Sequence, residues 1–164
     1  MKTEEKKKLV GDLTFVGVEL SPASREKLLK LLPESEQPWR KYADHMTIGV
    51  PSNLTVDMIS WAVQNQATPE VSPYEEYNIE LMVDMIATNY KVCAVRVKYA
   101  GIKEDGPKVP CANKVKHVTL GTRNDGKPVD SNFLNTWTPI PGGVIELEGR
   151  VKFWYKSGKK NINK

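Results

Sequence analysis

Apolar residues along the chain follow strand-like and helix-like spacings in turn. Leu13–Leu20 is rich in apolar and β-branched residues, which predicts a buried strand. Ser21 suits a helix N-cap and Pro22 the first helical position, where its missing N–H is tolerated. A run of leucines continues this helix, and Pro33 is expected to end it. Residues 46–50 then predict a short strand.

The second half of the pattern predicts one more helix and a series of strands. Asn53 or Thr55 is expected to cap the helix, because Val56, Ile59 and Val63 follow on one helical face. Alternating polar and apolar positions predict four further strands, at residues 78–88, 91–99, 115–122 and 144–155. A short helix is predicted at residues 130–137. The order is roughly βαβαββββ, which predicts an α+β domain with a mostly antiparallel sheet.

The size and composition of the chain are those of one globular domain. It has 164 residues, of which 40% are hydrophobic and 27% charged. We expect the domain to span residues 9–156, with charged or polar flexible tails at residues 1–8 and 157–164. The formal net charge of +4 suits an anionic ligand, although lysine-rich tails alone can produce it.

The sequence argues against several other classes of protein. Its apolar stretches are far shorter than the roughly 20 residues of a membrane helix, and its charged N-terminus does not resemble a secretory signal. A cytoplasmic location without membrane association is therefore expected. Cys93 and Cys111 are expected to be free thiols, with a single disulfide as the alternative. The two cysteines and two histidines do not have metal-ligand spacing, so neither a metal site nor a cofactor is predicted.

The strongest feature is a five-residue pattern that occurs at both histidines of the chain. The pentads are HMTIG at residues 45–49 and HVTLG at residues 117–121, and they begin 72 residues apart. Average residue usage gives a chance of about one in a thousand that a histidine is followed by this pattern. Its presence at both histidines therefore indicates a functional site and not two ordinary core histidines.

Strand periodicity groups the side chains within each pentad. Residues two apart on a strand share a face, so His45 lies beside Thr47, and His117 lies beside Thr119. The intervening aliphatic residues point the other way, into apolar packing. The glycine that closes each pentad allows backbone or ligand to approach closely.

Two facing strands of this kind would form a phosphoester site without a metal. Histidine has an unperturbed pKa near 6.5, so one ring can be neutral while the other is protonated. The neutral ring could accept a proton from the attacking oxygen, and the protonated ring could donate one to the leaving oxygen. The threonine hydroxyls could donate hydrogen bonds to the phosphoryl oxygens. Which histidine has which role is left open, because the pentads are nearly equivalent.

The two H-x-T-hydrophobic motifs resemble the signature of the 2H phosphoesterase superfamily. This resemblance implies a bilobal α+β fold, with two mainly antiparallel sheets facing a central cleft and helices outside. It also implies activity on RNA-type phosphodiesters, with His45 and His117 as the acid–base pair and Thr47 and Thr119 as phosphate binders.

Within that superfamily, the compact size and the spacing of 72 residues are most similar to the phage anti-CBASS nucleases. In that group the last strand carries an acid and, six residues later, a tryptophan that help to close over the ligand. Glu148 and Trp154 have that spacing here. Further aromatic candidates for the ligand site are Phe15 and Tyr77. Alternatively, Trp154 has a structural role at the rim of the site, packed under a loop or in a dimer interface.

The resemblance implies a metal-independent enzyme that cleaves 3′-5′ bonds of cyclic di- or trinucleotide immune signals, such as cGAMP, and thereby blocks CBASS defence in the host cytoplasm. Attack by the 2′-OH would leave a 2′,3′-cyclic phosphate. The alternatives are an RNA-repair 2′,3′-cyclic phosphodiesterase, a 2′-5′ RNA ligase-like enzyme, and a non-catalytic RNA-binding module. A cyclic oligonucleotide or an RNA-type phosphodiester is the expected partner, and no obligatory protein partner is expected.

Overall fold

The computed structural model describes residues 11–66, 77–103 and 106–156, so both predicted tails lie outside the described residues. The described part contains eight strands, two α-helices and one 3₁₀ helix. Their bounds are β1 (Leu13–Leu20), α1 (Pro22–Leu29), β2 (Arg40–Lys41), β3 (His45–Gly49), α2 (Val56–Asn65), β4 (Ile79–Thr88), β5 (Val92–Ile102), β6 (His117–Thr122), the 3₁₀ helix (Pro128–Phe133), β7 (Thr138–Pro139) and β8 (Ile145–Tyr155).

Both α-helices begin where the capping residues predict. The Ser21 hydroxyl accepts a hydrogen bond from the Ser24 N–H, and the Thr55 hydroxyl accepts one from the Met58 N–H. Thr55 is therefore the cap of α2, and Asn53 is not. Val63 was predicted on the buried face of α2 but is 43% exposed, because Ile59 and Ala62 form the face that packs on the core.

Six strands close into one antiparallel barrel. Their order is β6-β3-β1-β8-β4-β5, and β5 pairs back onto β6. Strand β2 extends the sheet from β6, and β7 pairs with β4. The prediction of a bilobal α+β fold with two facing sheets is therefore wrong. The two halves of the chain share one sheet because the motif strands β3 and β6 pair directly with each other.

The barrel interior is filled by alternate residues of its strands. Since successive strand residues point to opposite faces, each strand contributes one apolar row to the interior. Fully buried members of these rows are Val16, Val18, Met46, Ile48, Leu81, Val83, Val95, Val118 and Leu120. Leu28 of α1 and Ile59 of α2 join the same core. The histidines and threonines of the pentads therefore lie on the outer face.

The seam between β3 and β6 is narrow. One residue pair, Met46 with Val118, is in ladder register there, whereas β1 pairs with β3 over four positions. Beyond Met46, the loop that follows β5 occupies the edge of β3: the Ala112 N–H donates to the Ile48 carbonyl at 2.7 Å, and the Cys111 thiol donates to the Thr47 carbonyl at 3.4 Å. The motif strands therefore meet at one point and then diverge.

Ala43 turns the chain into β3. Its N–H donates to the Thr119 carbonyl, and its φ of 57° lies in the left-handed region, which is unfavourable for a residue with a Cβ. The chain is thus held against β6 just before it reaches His45. None of the helices in the described ranges is both long enough and apolar enough to cross a membrane.

Candidate active site

The structure brings the four motif side chains into one cleft. Because Met46 faces Val118 where the antiparallel strands β3 and β6 meet, the histidine and threonine of each motif lie on either side of this contact. All four side chains line a cavity of about 580 Å³ on the outer face of the barrel. The site is therefore built at the seam where the two motif strands diverge.

The walls of the cleft come from other parts of the barrel. Phe15 of β1 and Trp154 of β8 form an aromatic wall. Pro128, Val129 and Asn132 of the 3₁₀ helix line the cavity as well. The cavity combines apolar walls with polar groups from the pentads, which is typical of a small-ligand site.

His117 is held as a neutral ring with its acceptor nitrogen free for the cleft. Its Nδ1 lies 2.9 Å from the Val115 carbonyl oxygen. A carbonyl can only accept a hydrogen bond, so Nδ1 carries the proton and Nε2 is the acceptor in the neutral form. Burial lowers the pKa of His117, and the nearby His45 lowers it further, although the bond to Val115 opposes these effects. The ring is suited to accept a proton.

His45 lies beside a carboxylate. Its Nδ1 is 3.0 Å from Oδ1 of Asp44, and the side chains are 26% and 54% exposed. The hydrogen bond with His45 lowers the pKa of Asp44, so this carboxyl group is ionised at neutral pH. An ionised carboxylate can only accept a hydrogen bond, so Nδ1 of His45 carries the proton in this pair. The partner of the His45 ring is thus an anionic acceptor, whereas that of His117 is a neutral carbonyl.

The two threonines also have different surroundings. The Thr119 hydroxyl lies 2.7 Å from the hydroxyl of Ser131, a side chain of the 3₁₀ helix. Within the part of the chain that the structure describes, the Thr47 hydroxyl has no such partner.

The glycines of the pentads make room for protein and not for ligand. A Cβ at Gly49 would lie 2.8 Å from the Leu54 side chain, and a Cβ at Gly121 would lie 3.1 Å from the Arg40 carbonyl oxygen.

Two of the predicted ligand-binding residues line the cleft. The rings of Phe15 and Trp154 stack with centroids 4.3 Å apart, and the Phe15 and His45 rings stack at 4.6 Å. Lys152 Nζ lies 5.2 Å from the Trp154 ring centroid. The His45 and Trp154 rings are 5.2 Å apart and tilted by 47°, so the three rings form a compact triangular cluster at one wall of the cleft. Binding of a ligand by these two residues stays a prediction.

The structure does not bring Glu148 and Tyr77 to this cleft. Glu148 Oε1 pairs with Lys103 Nζ at 3.2 Å and lines a separate cavity. Trp154 lies six positions further along β8, a distance of about 20 Å. The Tyr77 ring packs against the guanidinium of Arg150 at 5.0 Å and lines another cavity. Of the four candidates, only Phe15 and Trp154 are near the histidines.

Sequence reasoning missed Asp44 and Ser131. Asp44 directly precedes a motif histidine, and that adjacency could have identified it as a partner of the ring. Ser131 lies 12 residues after Thr119 on a segment without regular periodicity, so no sequence pattern connects the two. Among the described residues, no group of three or more His, Cys, Asp or Glu side chains could hold a metal ion.

Comparisons with known proteins agree with a phosphodiester site. No curated protein sequence matches the chain. A crystal structure of a fungal RNA kinase matches the fold with a TM-score of 0.60 at 13% sequence identity, over 88% of this chain and 46% of that one. The chain thus spans about half the length of that structure. The family of the fungal tRNA ligase phosphodiesterase domain matches residues 23–139, which include both pentads. The chain belongs to this family.

Proposed function

We propose that the protein opens 2′,3′-cyclic phosphate ends of RNA by acid–base catalysis with two histidines, as a 2H phosphoesterase. The observation that carries this proposal is the unequal environment of the two rings. His117 bonds to a carbonyl and has a lowered pKa, whereas His45 bonds to an ionised carboxylate. Membership in the tRNA ligase phosphodiesterase family supports RNA as the substrate class.

The roles that the sequence left open follow from these partners. Nε2 of neutral His117 accepts a proton from water while the water oxygen bonds to phosphorus. The bond from phosphorus to one ribose oxygen breaks, and His45 donates its proton to that oxygen. The product is a phosphomonoester with one free ribose hydroxyl. Exchange of one proton with solvent at each ring then restores the starting state.

The threonines contribute to the charged transition state. Thr47 and Thr119 flank the histidines in the cleft, where their hydroxyls can donate to the non-bridging phosphoryl oxygens. Side chains thus supply proton transfer and charge stabilisation, so this scheme routes no step through a metal ion. Turnover is expected to persist in the presence of EDTA.

The nucleophile in this proposal differs from the one predicted from the sequence. In a 2′,3′-cyclic phosphate both ribose hydroxyls are already esterified, so water must attack. Cleavage of a cyclic oligonucleotide would instead use the 2′-OH next to the scissile phosphate. The same pair of histidines could serve that reaction, but neither the family match nor the position of Glu148 favours it. It is therefore a competing outcome of the test.

The test compares substrates. The protein is incubated with an RNA oligonucleotide ending in a 2′,3′-cyclic phosphate, with the same oligonucleotide ending in a 3′-phosphate, and with 3′,3′-cGAMP. We expect conversion of the first to a phosphomonoester, without change in the other two. His45→Ala and His117→Ala should each reduce the rate about 10²- to 10⁴-fold. Cleavage of cGAMP alone would replace the proposal with the cyclic-oligonucleotide function, and wild-type protein inactive on all substrates would refute it.

A further inference from the structure

Ser131 is a buried hydroxyl in contact with the site. It is 2% exposed, and its Oγ lies 2.7 Å from Oγ1 of Thr119. In the described part of the chain, Thr119 is the one side chain that forms a hydrogen bond with this hydroxyl. Among the residues that the structure describes, no other side chain competes for its orientation.

The 3₁₀ helix holds Ser131 in place. The Lys127 N–H donates to Asp130 Oδ2 at 2.8 Å, and the Asp130 N–H donates back to the Lys127 carbonyl. Pro128 has the restricted φ that suits the first helical position. The Leu134 N–H donates to the Ser131 carbonyl and closes the segment. These hydrogen bonds fix both ends of the short helix, and Ser131 is held at a defined position beside Thr119.

Burial decides which hydroxyl donates. A hydroxyl has one proton, and a buried proton without an acceptor is strongly disfavoured. If Thr119 donated to Ser131, the Ser131 proton would have no acceptor among the described residues. The favourable arrangement therefore has the Ser131 hydroxyl as the donor and the Thr119 hydroxyl as the acceptor. The proton of Thr119 is then free to point into the cleft that this residue lines with His117.

We propose that Ser131 is a positioning residue that orients the Thr119 hydroxyl as a hydrogen-bond donor to the phosphoryl group. The inference rests on the proposed function and deepens it. By accepting one bond, Thr119 becomes a stronger donor in the other, because linked hydrogen bonds polarise each other. Thr47 lacks a matching partner within the described ranges, so the two H-x-T motifs are unequal in their threonines as well as in their histidines.

A double-mutant cycle tests the coupling. We expect Thr119→Val to reduce kcat about 100-fold, the lower end for loss of one transition-state donor. Ser131→Ala should reduce kcat about tenfold, a smaller loss, because it affects the orientation of the donor and leaves the donor itself in place. In the Thr119→Val background, Ser131→Ala should have no further effect. In the matched Thr47→Val background it should again reduce kcat about tenfold, as expected for independent sites.

Two more variants separate hydrogen bonding from packing. Ser131→Cys fills the space but donates weakly, and it should behave like the alanine variant; Ser131→Thr retains the hydroxyl and should restore most of the activity. The acidic limb of the pH–rate profile should stay in place in each variant, since His117 is held by Val115. Wild-type activity in Ser131→Cys, or an equal loss from Ser131→Ala in both threonine backgrounds, would overturn the inference.

A binding measurement keeps this test separate from that of the proposed function. Inorganic phosphate is titrated into each variant and followed by NMR. Ser131→Ala should weaken phosphate binding in the wild-type background and leave it unchanged in the Thr119→Val background. Inactive wild-type protein would refute the proposed function while this titration still reports the coupling. Equal weakening in both backgrounds would refute the role of Ser131.

Discussion

At the scale of single residues, the two nearly identical motifs differ through their neighbours. His45 has the Asp44 carboxylate at Nδ1, and His117 has a main-chain carbonyl at the same atom. Burial lowers the pKa of His117, and a neutral carbonyl only partly opposes this effect. The proposed assignment of His117 as the base and His45 as the acid rests on these unequal surroundings.

The acidic limb of the pH profile is expected to report His117. Burial lowers its pKa below the ordinary value of 6.5, and the base must be neutral to act. The value of kcat/KM should therefore rise as the pH increases through a pKa below 6.5 and reach its plateau under mildly acidic conditions. Steady-state kinetics between pH 4 and 9 measure the pKa of this limb. An acidic limb above 6.5 would contradict the assignment of His117 as the base.

Asp44→Asn should weaken the hold on the His45 ring. The carboxylate accepts a charge-assisted hydrogen bond at Nδ1, whereas an amide oxygen accepts only a weaker neutral one, so the ring is less firmly oriented. We expect kcat/KM to fall about tenfold in steady-state kinetics. Asp57→Asn, at the exposed first turn of α2, removes the same charge and is the control. An equal loss in both variants would show that Asp44 acts through general charge and not through His45.

At the scale of elements, three strands are joined by a cluster of rings. Phe15 of β1, His45 of β3 and Trp154 of β8 have centroids 4.3 to 5.2 Å apart, so each ring contacts the other two. Gly17 permits this close approach, because a Cβ there would lie 2.6 Å from the Met46 carbonyl oxygen and 3.3 Å from the Trp154 ring. Strand pairing thus brings two aromatic side chains against the His45 ring.

The ring cluster makes a prediction that separates ring orientation from binding of a base. Phe15→Leu keeps apolar volume but removes one of the two aromatic rings that contact His45. If the cluster orients His45, kcat should fall about tenfold and KM should change little. If the aromatic wall instead stacks on a base of the substrate, KM should rise and kcat should hold. Trp154→Ala, measured on the same cyclic-phosphate oligonucleotide, should follow the same pattern as Phe15→Leu.

At the scale of the whole molecule, stability is concentrated in the barrel interior. Ile48 of β3 is fully buried there, directly beside the catalytic face, whereas Val63 of α2 is 43% exposed. Ile48→Ala should lower the free energy of unfolding by about 2–5 kcal/mol. Val63→Ala should change it by no more than about 0.5 kcal/mol. Denaturant unfolding of both variants measures this, and similar losses would place the core elsewhere.

Local structure was largely predictable from the sequence, because its causes are local. Ser21 and Thr55 cap helices through hydrogen bonds to residues three positions later, and the alternation in β8 depends on neighbours two apart. One predicted element shifted because a local cap was not recognised. The helix predicted at 130–137 begins instead at Pro128 and is a 3₁₀ helix, held by the bonds between Lys127 and Asp130.

The sequence by itself determined which side chains share a strand face, since a period of two makes each histidine a neighbour of its threonine. The repetition of the pentad also marked these four residues without any knowledge of the fold. Only the tertiary structure decided that β3 and β6 pair directly and close a barrel, because strand pairing joins residues far apart in the chain. It likewise placed Ser131 and Phe15 against the motifs and left Glu148 at another cavity. The Nδ1 partners, Asp44 and Val115, lie within two residues of their histidines, but burial of the rings and the partner of Thr119 depend on contacts between distant segments, and these complete the chemical difference between two nearly identical motifs.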